Sequence, residues 1–281
     1  MSKERALWLL FTLQIALTVC GIAGVFKGDT LTFITLYTPL ILLLLHACWT
    51  LTVRRGLAFI LLAGFTGWAA EAVSLHYGTV FGGDYTYPAQ PGLLGVPFAI
   101  ITYWAVFIYT GYWLVTTFCY WLGKQKPVRR RSTLARVGAL VLADGLAVTA
   151  IDLFMDPTSV KAGSWTWVDG GPYFGVPIGN FVGWFCVTVI VTGIFRLYEY
   201  YSPGRDPKFD QSILVLPVLG YLLVGVNLLV AAISYDLLSL AAIGTAIVIL
   251  PAVLNLALYL RLHPARLPLH TTRQQKRPIS T

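Results

Sequence analysis

The chain has 281 residues, of which 57% are hydrophobic and only 11% charged, and its mean hydropathy is +0.73. A soluble core of this length cannot bury so much apolar surface, which excludes an ordinary soluble domain and indicates an integral membrane protein. The net charge of +8 reflects membrane topology and contact with anionic lipid headgroups, and it does not indicate nucleic-acid binding.

Apolar stretches of membrane-spanning length recur along the chain. Such windows lie at about 6–26, 31–53, 56–77, 97–122, 134–155, 178–199, 212–234 and 237–260. They predict an all-α, polytopic membrane helical bundle of about eight transmembrane helices, in a single domain over residues 1–263. The polar residues 264–281 are predicted to form a disordered cytoplasmic tail. The first window lacks a small-residue cleavage site and is predicted to be a retained helix.

The basic residues predict the orientation, because Lys and Arg stay on the cytoplasmic side of short loops. With eight spans and the N-terminus inside, every basic residue except Lys27 and Lys161 falls in a cytoplasmic segment. We therefore predict a multi-pass protein of the inner (cytoplasmic) membrane with both termini cytoplasmic. The loops after the third and fifth spans are predicted to lie together on the opposite side.

The first two spans contain almost no polar chemistry and are predicted to be scaffold. His46 is interpreted as a hydrogen-bonded packing residue, since a lone intramembrane histidine is more often structural than a ligand. Four cysteines stand alone in apolar spans, which predicts neither a disulfide framework nor a zinc site; they are Cys20, Cys48, Cys119 and Cys186.

The third span contains the start of a motif. Glu71 is a lone carboxyl group in an apolar helix, where a charge costs several kcal/mol, so it marks a function or merely bonds a neighbouring helix. A loop rich in glycine and aromatic residues follows at 81–87, and the fourth span opens at Gly-Val-Pro 95–97, with Trp104 seven residues after the proline. The loop composition also suits a plain interfacial belt, and both interpretations stay open at this point.

The fifth and sixth spans contain a second copy of this motif. Asp152 lies in the helix, the loop holds Gly-Gly-Pro-Tyr at 170–173, and the sixth span opens at Gly-Val-Pro 175–177, with Trp184 at the same offset as in the first copy. The copies extend over about 60–122 and 134–200. They predict an internal parallel repeat, each copy formed by a helix, an aromatic loop and a Gly-Val-Pro helix.

Three acidic residues of the fifth span are predicted to lie near one stripe of the helix. Asp152 and Asp156 are one helical turn apart, and Asp144 is about 80° around the axis from Asp152. Asp156 precedes a proline, so a simple helix-ending role for it also stays open. Asp144, Asp152 and Asp156 are all candidate catalytic residues.

The sixth span adds a polar amide and a pair of small residues. Asn180 can hold a water molecule or fix a carboxyl group through hydrogen bonds. Gly179 and Gly183 form a small-residue pair that predicts the close approach of another helix. In the last two spans, Asn227, Asp236 and Asn255 are interpreted as structural.

Together these motifs resemble the bacterial and archaeal carotenoid-biosynthesis membrane proteins of the CruF hydratase type. The resemblance covers about residues 60–200. It rests on Glu71, the loop 81–87 (FGGDYTY), GVP 95–97, Asp152, MDP 155–157, WTW 165–167 and GPYFGVPIGNFVGW 171–184. One departure is the additional Gly83, which shifts the loop tyrosines by one residue.

The resemblance implies a hydro-lyase that adds water to the terminal double bond of an acyclic carotenoid end group and gives a tertiary alcohol. It implies no cofactor and no metal, and the partners are a lipophilic carotenoid and the lipid bilayer. The residues fit this chemistry, because burial keeps a carboxylic acid protonated and able to protonate an alkene. Asp152 is favoured as the acid, with Asp144 or Asp156 sharing its proton. Glu71, helped by Asn180, is predicted to accept the proton of the attacking water.

Aromatic faces can stabilise the resulting cation, each contributing roughly 2 kcal/mol when desolvated. The candidate substrate-binding residues are Trp68, Tyr85, Tyr87, Trp104, Trp165, Trp167, Tyr173 and Trp184. Trp68 is expected to share a helix face with Glu71, because it lies three residues before it.

Three other functions fit parts of the sequence. A carotene cyclase would use the same first protonation but needs only a dry pocket. A UbiA-like prenyltransferase would bind magnesium diphosphate through Asp-rich pairs, and Asp152 with Asp156 forms only one such pair. A small transporter would also tolerate buried acids and internal repeats.

Overall fold

The computed structural model describes residues 2–24, 29–123, 133–202 and 211–263. The predicted tail at 264–281 and most of the basic loop before Thr133 lie outside these residues, as do Lys27, Arg205 and Lys208. The described chain is almost entirely helical. The helices are α1 (Lys3–Ile22), α2 (Asp29–Thr50), α3 (Val53–Tyr77), α4 (Phe98–Leu122), α5 (Leu134–Lys161), α6 (Ile178–Tyr201), α7 (Leu216–Ser234), α8 (Leu238–Gly244) and α9 (Leu250–Leu262).

The predicted polytopic helical bundle is confirmed. A 3-10 turn at Gln211–Val215 precedes α7, and a π-helical turn at Thr245–Ile249 joins α8 to α9 into one continuous segment. Within the described residues, seven helical segments are long and apolar enough to cross a membrane, and Ile34–Thr50 is a shorter apolar helix. The protein is therefore a multi-pass membrane protein, and the helices occupy the eight predicted windows.

Local chemistry explains where several helices begin and end. The hydroxyl of Thr133 caps α5 by accepting from the amide of Arg136 at 3.2 Å. Pro97 and Pro177 are the N-caps of α4 and α6, and neither has an amide hydrogen to leave unpaired. Gly78 ends α3 in the left-handed conformation, at φ 64°, that an αL cap requires.

The two aromatic loops meet at one end of the bundle. Strand β1 (Tyr85–Thr86) pairs antiparallel with β4 (Thr166–Trp167), so Tyr85 lies opposite Trp167. Strands β2 (Gly92–Leu93) and β3 (Val96–Pro97) form a short hairpin within the first loop. The pairing of β1 with β4 places both loops on the same side, as the repeat and the charge pattern predicted.

The repeat extends to the backbone of the turns before each Gly-Val-Pro. Leu94 and Gly95 have φ of 52° and 80°, and Phe174 and Gly175 have φ of 50° and 85°. Positive φ at both central residues is the signature of a two-residue type I′ turn. The glycine of each Gly-Val-Pro therefore occupies a left-handed position, where glycine carries no steric cost.

Two tryptophans join the copies in the core. The rings of Trp104 on α4 and Trp184 on α6 stack with centroids 3.8 Å apart and planes 18° from parallel. Gly67 on α3 makes room for this stack, because a Cβ there would lie 2.2 Å from Cγ of Trp104. Equivalent residues of the repeat thus contact each other directly.

The prediction that Gly179 and Gly183 admit another helix is wrong in one respect. A Cβ on Gly179 would lie 2.6 Å from Cα of Gly82, and one on Gly183 would lie 2.7 Å from the carbonyl oxygen of Val80. The chain that approaches α6 is therefore the loop after α3. Gly82 lets the loop backbone lie directly against the helix, because a Cβ there would lie 2.7 Å from Cα of Gly179.

Candidate active site

A cavity of about 700 Å³ lies beneath the paired loops and has two chemically different parts. Its polar end is lined by carboxyl, amide and aromatic side chains from α3, α5, α6 and the loops. Its apolar arm passes beside α4 and reaches between α1, α2 and α7, where its walls include Phe11, Leu43 and Val224. The first two helices were predicted to be scaffold, but the structure shows that they form walls of this arm.

Glu71 is held at the polar end by three donors. The hydroxyls of Tyr85 and Tyr87 donate to its Oε2 at 2.5 and 2.9 Å, and Nε1 of Trp104 donates to its Oε1 at 3.0 Å. The side chain is only 4% exposed. The loop reaches Glu71 because the amide of Phe81 donates to the Ser74 hydroxyl, one turn further along α3, at 3.3 Å.

Asp152 and Asp156 form a pair bridged by one amide group. Nδ2 of Asn180 donates to Oδ2 of Asp152 and to Oδ2 of Asp156, each at 2.8 Å. Nε1 of Trp165 donates to the other oxygen of Asp156. Oδ1 of Asp152 is buried and has no hydrogen-bond partner among the described residues. Asp152 therefore has one carboxyl oxygen bound and one free.

Asp144 does not join these residues. It forms a buried ion pair with Arg196 of α6, whose Nε and Nη2 donate to its two oxygens at 2.5 and 2.7 Å. The guanidinium group also lies 4.3 Å from the ring centre of Tyr112. The predicted sharing of a proton between Asp144 and Asp152 is thus not supported. The charge pattern assigned Arg196 to a cytoplasmic segment, whereas it is 5% exposed inside the bundle.

The eight predicted aromatic residues separate into three groups. Five line the cavity: Tyr85, Tyr87, Trp165, Trp167 and Trp184. Trp104 contacts Glu71 from behind the cavity wall. Trp68 and Tyr173 are not among the lining residues. Nε1 of Trp68 donates to the carbonyl oxygen of Leu93 at 3.2 Å, and its ring contacts the exposed Phe65, so Trp68 faces away from Glu71.

Comparison with known families agrees with this architecture. A family model described as "Carotenoid biosynthesis protein" matches residues 31–251, which is well over half of the chain. The chain belongs to this carotenoid biosynthesis family. No curated protein and no solved structure matches it. Membership in the family, together with the membrane-embedded helices, indicates a lipid environment and a lipophilic substrate.

The loop tyrosines of this carotenoid biosynthesis protein are held in their protonated form. Burial, and then the charge of Glu71, raise the pKa of Tyr85 and Tyr87 well above the ordinary value. Burial, followed by the charge of Asp152, also raises the pKa of Tyr173. All three phenol groups therefore keep their protons at neutral pH.

Several lining residues had no signal in the sequence. Gln14, Gln90, Ser159 and Ser164 all line the cavity. Single polar residues are common in helices and loops, so nothing in their spacing marks them. Their position in the cavity wall follows only from the packing of the helices and loops.

Proposed function

We propose that this family member is a hydratase that adds water to the terminal double bond of an acyclic carotenoid end group. The observation that supports this most is the convergence of Glu71, Asp152, Asp156 and Asn180 at the polar end of an otherwise apolar cavity. Such a cavity accommodates a polyene in its arm and brings its end group to acid and base groups. The reaction needs no cofactor.

Asp152 is the proposed acid. Its bound oxygen is oriented by Asn180, while its free oxygen has no donor or acceptor that would retain a proton. The π electrons of the terminal double bond take the proton from the Asp152 carboxyl group and form a new C–H bond. The other alkene carbon becomes a tertiary cation, and the carboxyl group becomes a carboxylate.

Aromatic faces of the cavity stabilise this cation. Trp184, Trp165 and Trp167 line the same end of the cavity as the acid pair. A cation over an indole face is stabilised by about 2 kcal/mol when water is excluded. The stacking of Trp184 on Trp104 fixes one of these rings, so the face is preorganised.

Glu71 is the proposed base for the attacking water. A water oxygen forms the C–O bond with the cation, and one of its protons passes to the Glu71 carboxylate, so that a neutral tertiary alcohol remains. Three donors orient the carboxylate. The role expected for Asn180 changes, because its amide group holds Asp152 and Asp156 and has no bond to Glu71.

The geometry favours this reaction over the alternatives. A cyclase needs a dry pocket around the cation, whereas here three carboxyl groups line the polar end. A prenyltransferase needs aspartate-rich pairs that bind magnesium diphosphate, and among the described residues only one such pair, Asp152 and Asp156, lines the cavity. Alternating access needs the repeats to move apart, and the β1–β4 pairing ties their loops together.

Expression in a host that accumulates an acyclic carotene tests the proposal. The pigments are separated by chromatography, and their molecular masses are measured by mass spectrometry. A hydratase gives a product heavier by one water for each end that reacts, and growth in water enriched in oxygen-18 places the label in the new hydroxyl group. An isomeric product of unchanged mass would identify a cyclase, and unchanged pigment would reject both activities.

A further inference from the structure

The proposed reaction joins two substrates of opposite character, an apolar polyene and water. The apolar arm suits the polyene, but its walls at Phe11, Leu43 and Val224 offer no hydrogen bond to a water molecule. Water is held at a buried site only where it finds about two to four polar partners. A separate polar route for water is therefore expected, and the inference drawn from it rests on the proposed function.

One stripe of α5 leads from the acid pair toward the loop side of the bundle. Asp152, Asp156 and Ser159 are spaced by four and then three residues, so they share a face of the helix, and all three line the cavity. Ser159 lies about 4.5 Å beyond Asp156 along the helix axis. The two carboxyl groups are buried, whereas Ser159 is partly exposed. Accessibility thus increases along the stripe toward the loops.

The chain after α5 folds back over this end of the stripe. The amide of Ser164 donates to the carbonyl oxygen of Ser159 at 2.9 Å. Ser164 is exposed and also lines the cavity. The next residue, Trp165, donates from Nε1 to Asp156. The two serines therefore lie between the surface of the loops and the acid pair.

The hydroxyl groups of both serines are available to bind water. Neither forms a side-chain hydrogen bond with another residue in the described ranges. The neighbouring Thr158 differs, because its hydroxyl donates to the carbonyl oxygens of Phe154 and Met155 at 3.3 and 2.7 Å, and it lies outside the cavity wall. A free serine hydroxyl can donate one hydrogen bond and accept others, as a passing water molecule requires.

We infer that Ser159 and Ser164 form a binding site through which water reaches the acid pair from the loop side. A water molecule on the Ser159 hydroxyl lies within one helical turn of Asp156. From there it captures the tertiary cation, its oxygen forming the C–O bond and one of its protons passing to Glu71. The polyene and the water thus reach the cation from different sides of the cavity.

The test measures what happens to the cation, using purified protein in lipid nanodiscs with an acyclic carotene in heavy water. Asp152 then delivers a deuteron, and the cation has two fates. Capture by water gives the alcohol. Alternatively, a C–H bond next to the cation breaks, its proton returns to the Asp152 carboxylate, and the alkene forms again with deuterium in it. The early ratio of alcohol to deuterated carotene, measured by mass spectrometry, therefore reports capture of the cation and not its formation.

Two substitutions of equal shape isolate the hydroxyl group. We expect Ser159→Val to lower the ratio by about 10-fold, within the range for a lost hydrogen bond. Ser159→Thr has the same shape but keeps a hydroxyl, and its ratio should be at least about 3-fold higher than that of Ser159→Val. Thr158→Val is the matched control, because it removes the neighbouring hydroxyl outside the cavity, and it should keep the wild-type ratio.

Equal ratios for Ser159→Val and Ser159→Thr would overturn the proposed water site. So would a Ser159→Val protein in which alcohol and deuterated carotene fall together, because that result indicates a general defect of the site. If Ser159→Val folds poorly, Ser164→Val repeats the test at an exposed loop position, where an unchanged ratio would also overturn it. A wild-type protein that forms no alcohol at all would instead reject the proposed function.

Discussion

The two copies of the repeat place a carboxyl group at corresponding points and then surround it differently. Glu71 in the first copy receives two phenol hydroxyls and an indole, whereas Asp152 in the second shares one amide group with Asp156 and keeps a free oxygen. The helix scaffold is common to both. The difference comes from the loops and from Asn180, and in the proposed reaction it lets one repeat supply the acid and the other the base.

The largest expected effect tests whether Asp144 of α5 is a structural residue or a catalytic one. Asp144→Asn leaves Arg196 buried without its counter-charge, and we expect a loss of about 3–5 kcal/mol of stability. Thermal unfolding in detergent or nanodiscs measures it. Asp144→Asn/Arg196→Gln should recover part of the loss, because no unpaired charge remains. If the Asp144→Asn protein were stable but did not hydrate the carotene, Asp144 would be a catalytic residue.

The next effect addresses the acid and the base directly. Asp152→Asn keeps the shape of the side chain but removes its transferable proton, and Glu71→Gln removes a proton acceptor. Each should lower turnover by about 10²-fold or more while the protein level holds. The readout is product formation with oxygen-18 water. Normal hydration by both variants would mean that neither Asp152 nor Glu71 is the acid, which would then have to be sought among Asp84, Asp144 and Asp156.

A smaller effect is expected where the copies touch. Trp184→Leu removes one face from the cation and leaves Trp104 unstacked, so the rate should fall by about 5- to 30-fold, the range for a cation–π contact of ~1–2 kcal/mol. Measurement of kcat should show the loss, because the cation exists only during the reaction. A change confined to KM would assign Trp184 to substrate binding alone.

The smallest effect on activity is expected from a reporter inserted at Gly163. A Cβ at this glycine would have no other atom within 4 Å, and its φ is 75°. The inserted protein should stay active, and the reporter should read as external, whereas one at the C-terminus should read as cytoplasmic. A cytoplasmic signal at Gly163 would reverse the predicted orientation of both loops.

Much of the fold was predictable from local patterns. Apolar windows predicted the helices, because backbone hydrogen bonds in lipid must be satisfied within the segment. The Gly-Val-Pro repeat predicted two equivalent units with their loops on one side. Glu71 and Asp152, which the sequence analysis expected to serve one reaction, both line the cavity.

What the sequence did not determine is which partner each helix face meets. Asp144 lies close to Asp152 along α5, yet it pairs with Arg196, because only packing brings α6 beside that turn. Trp68 faces away from Glu71, α1 and α2 form cavity walls, and a loop rather than a helix lies on Gly179. Helical periodicity fixes which residues share a stripe on one helix, but contacts across helices depend on how the whole bundle packs.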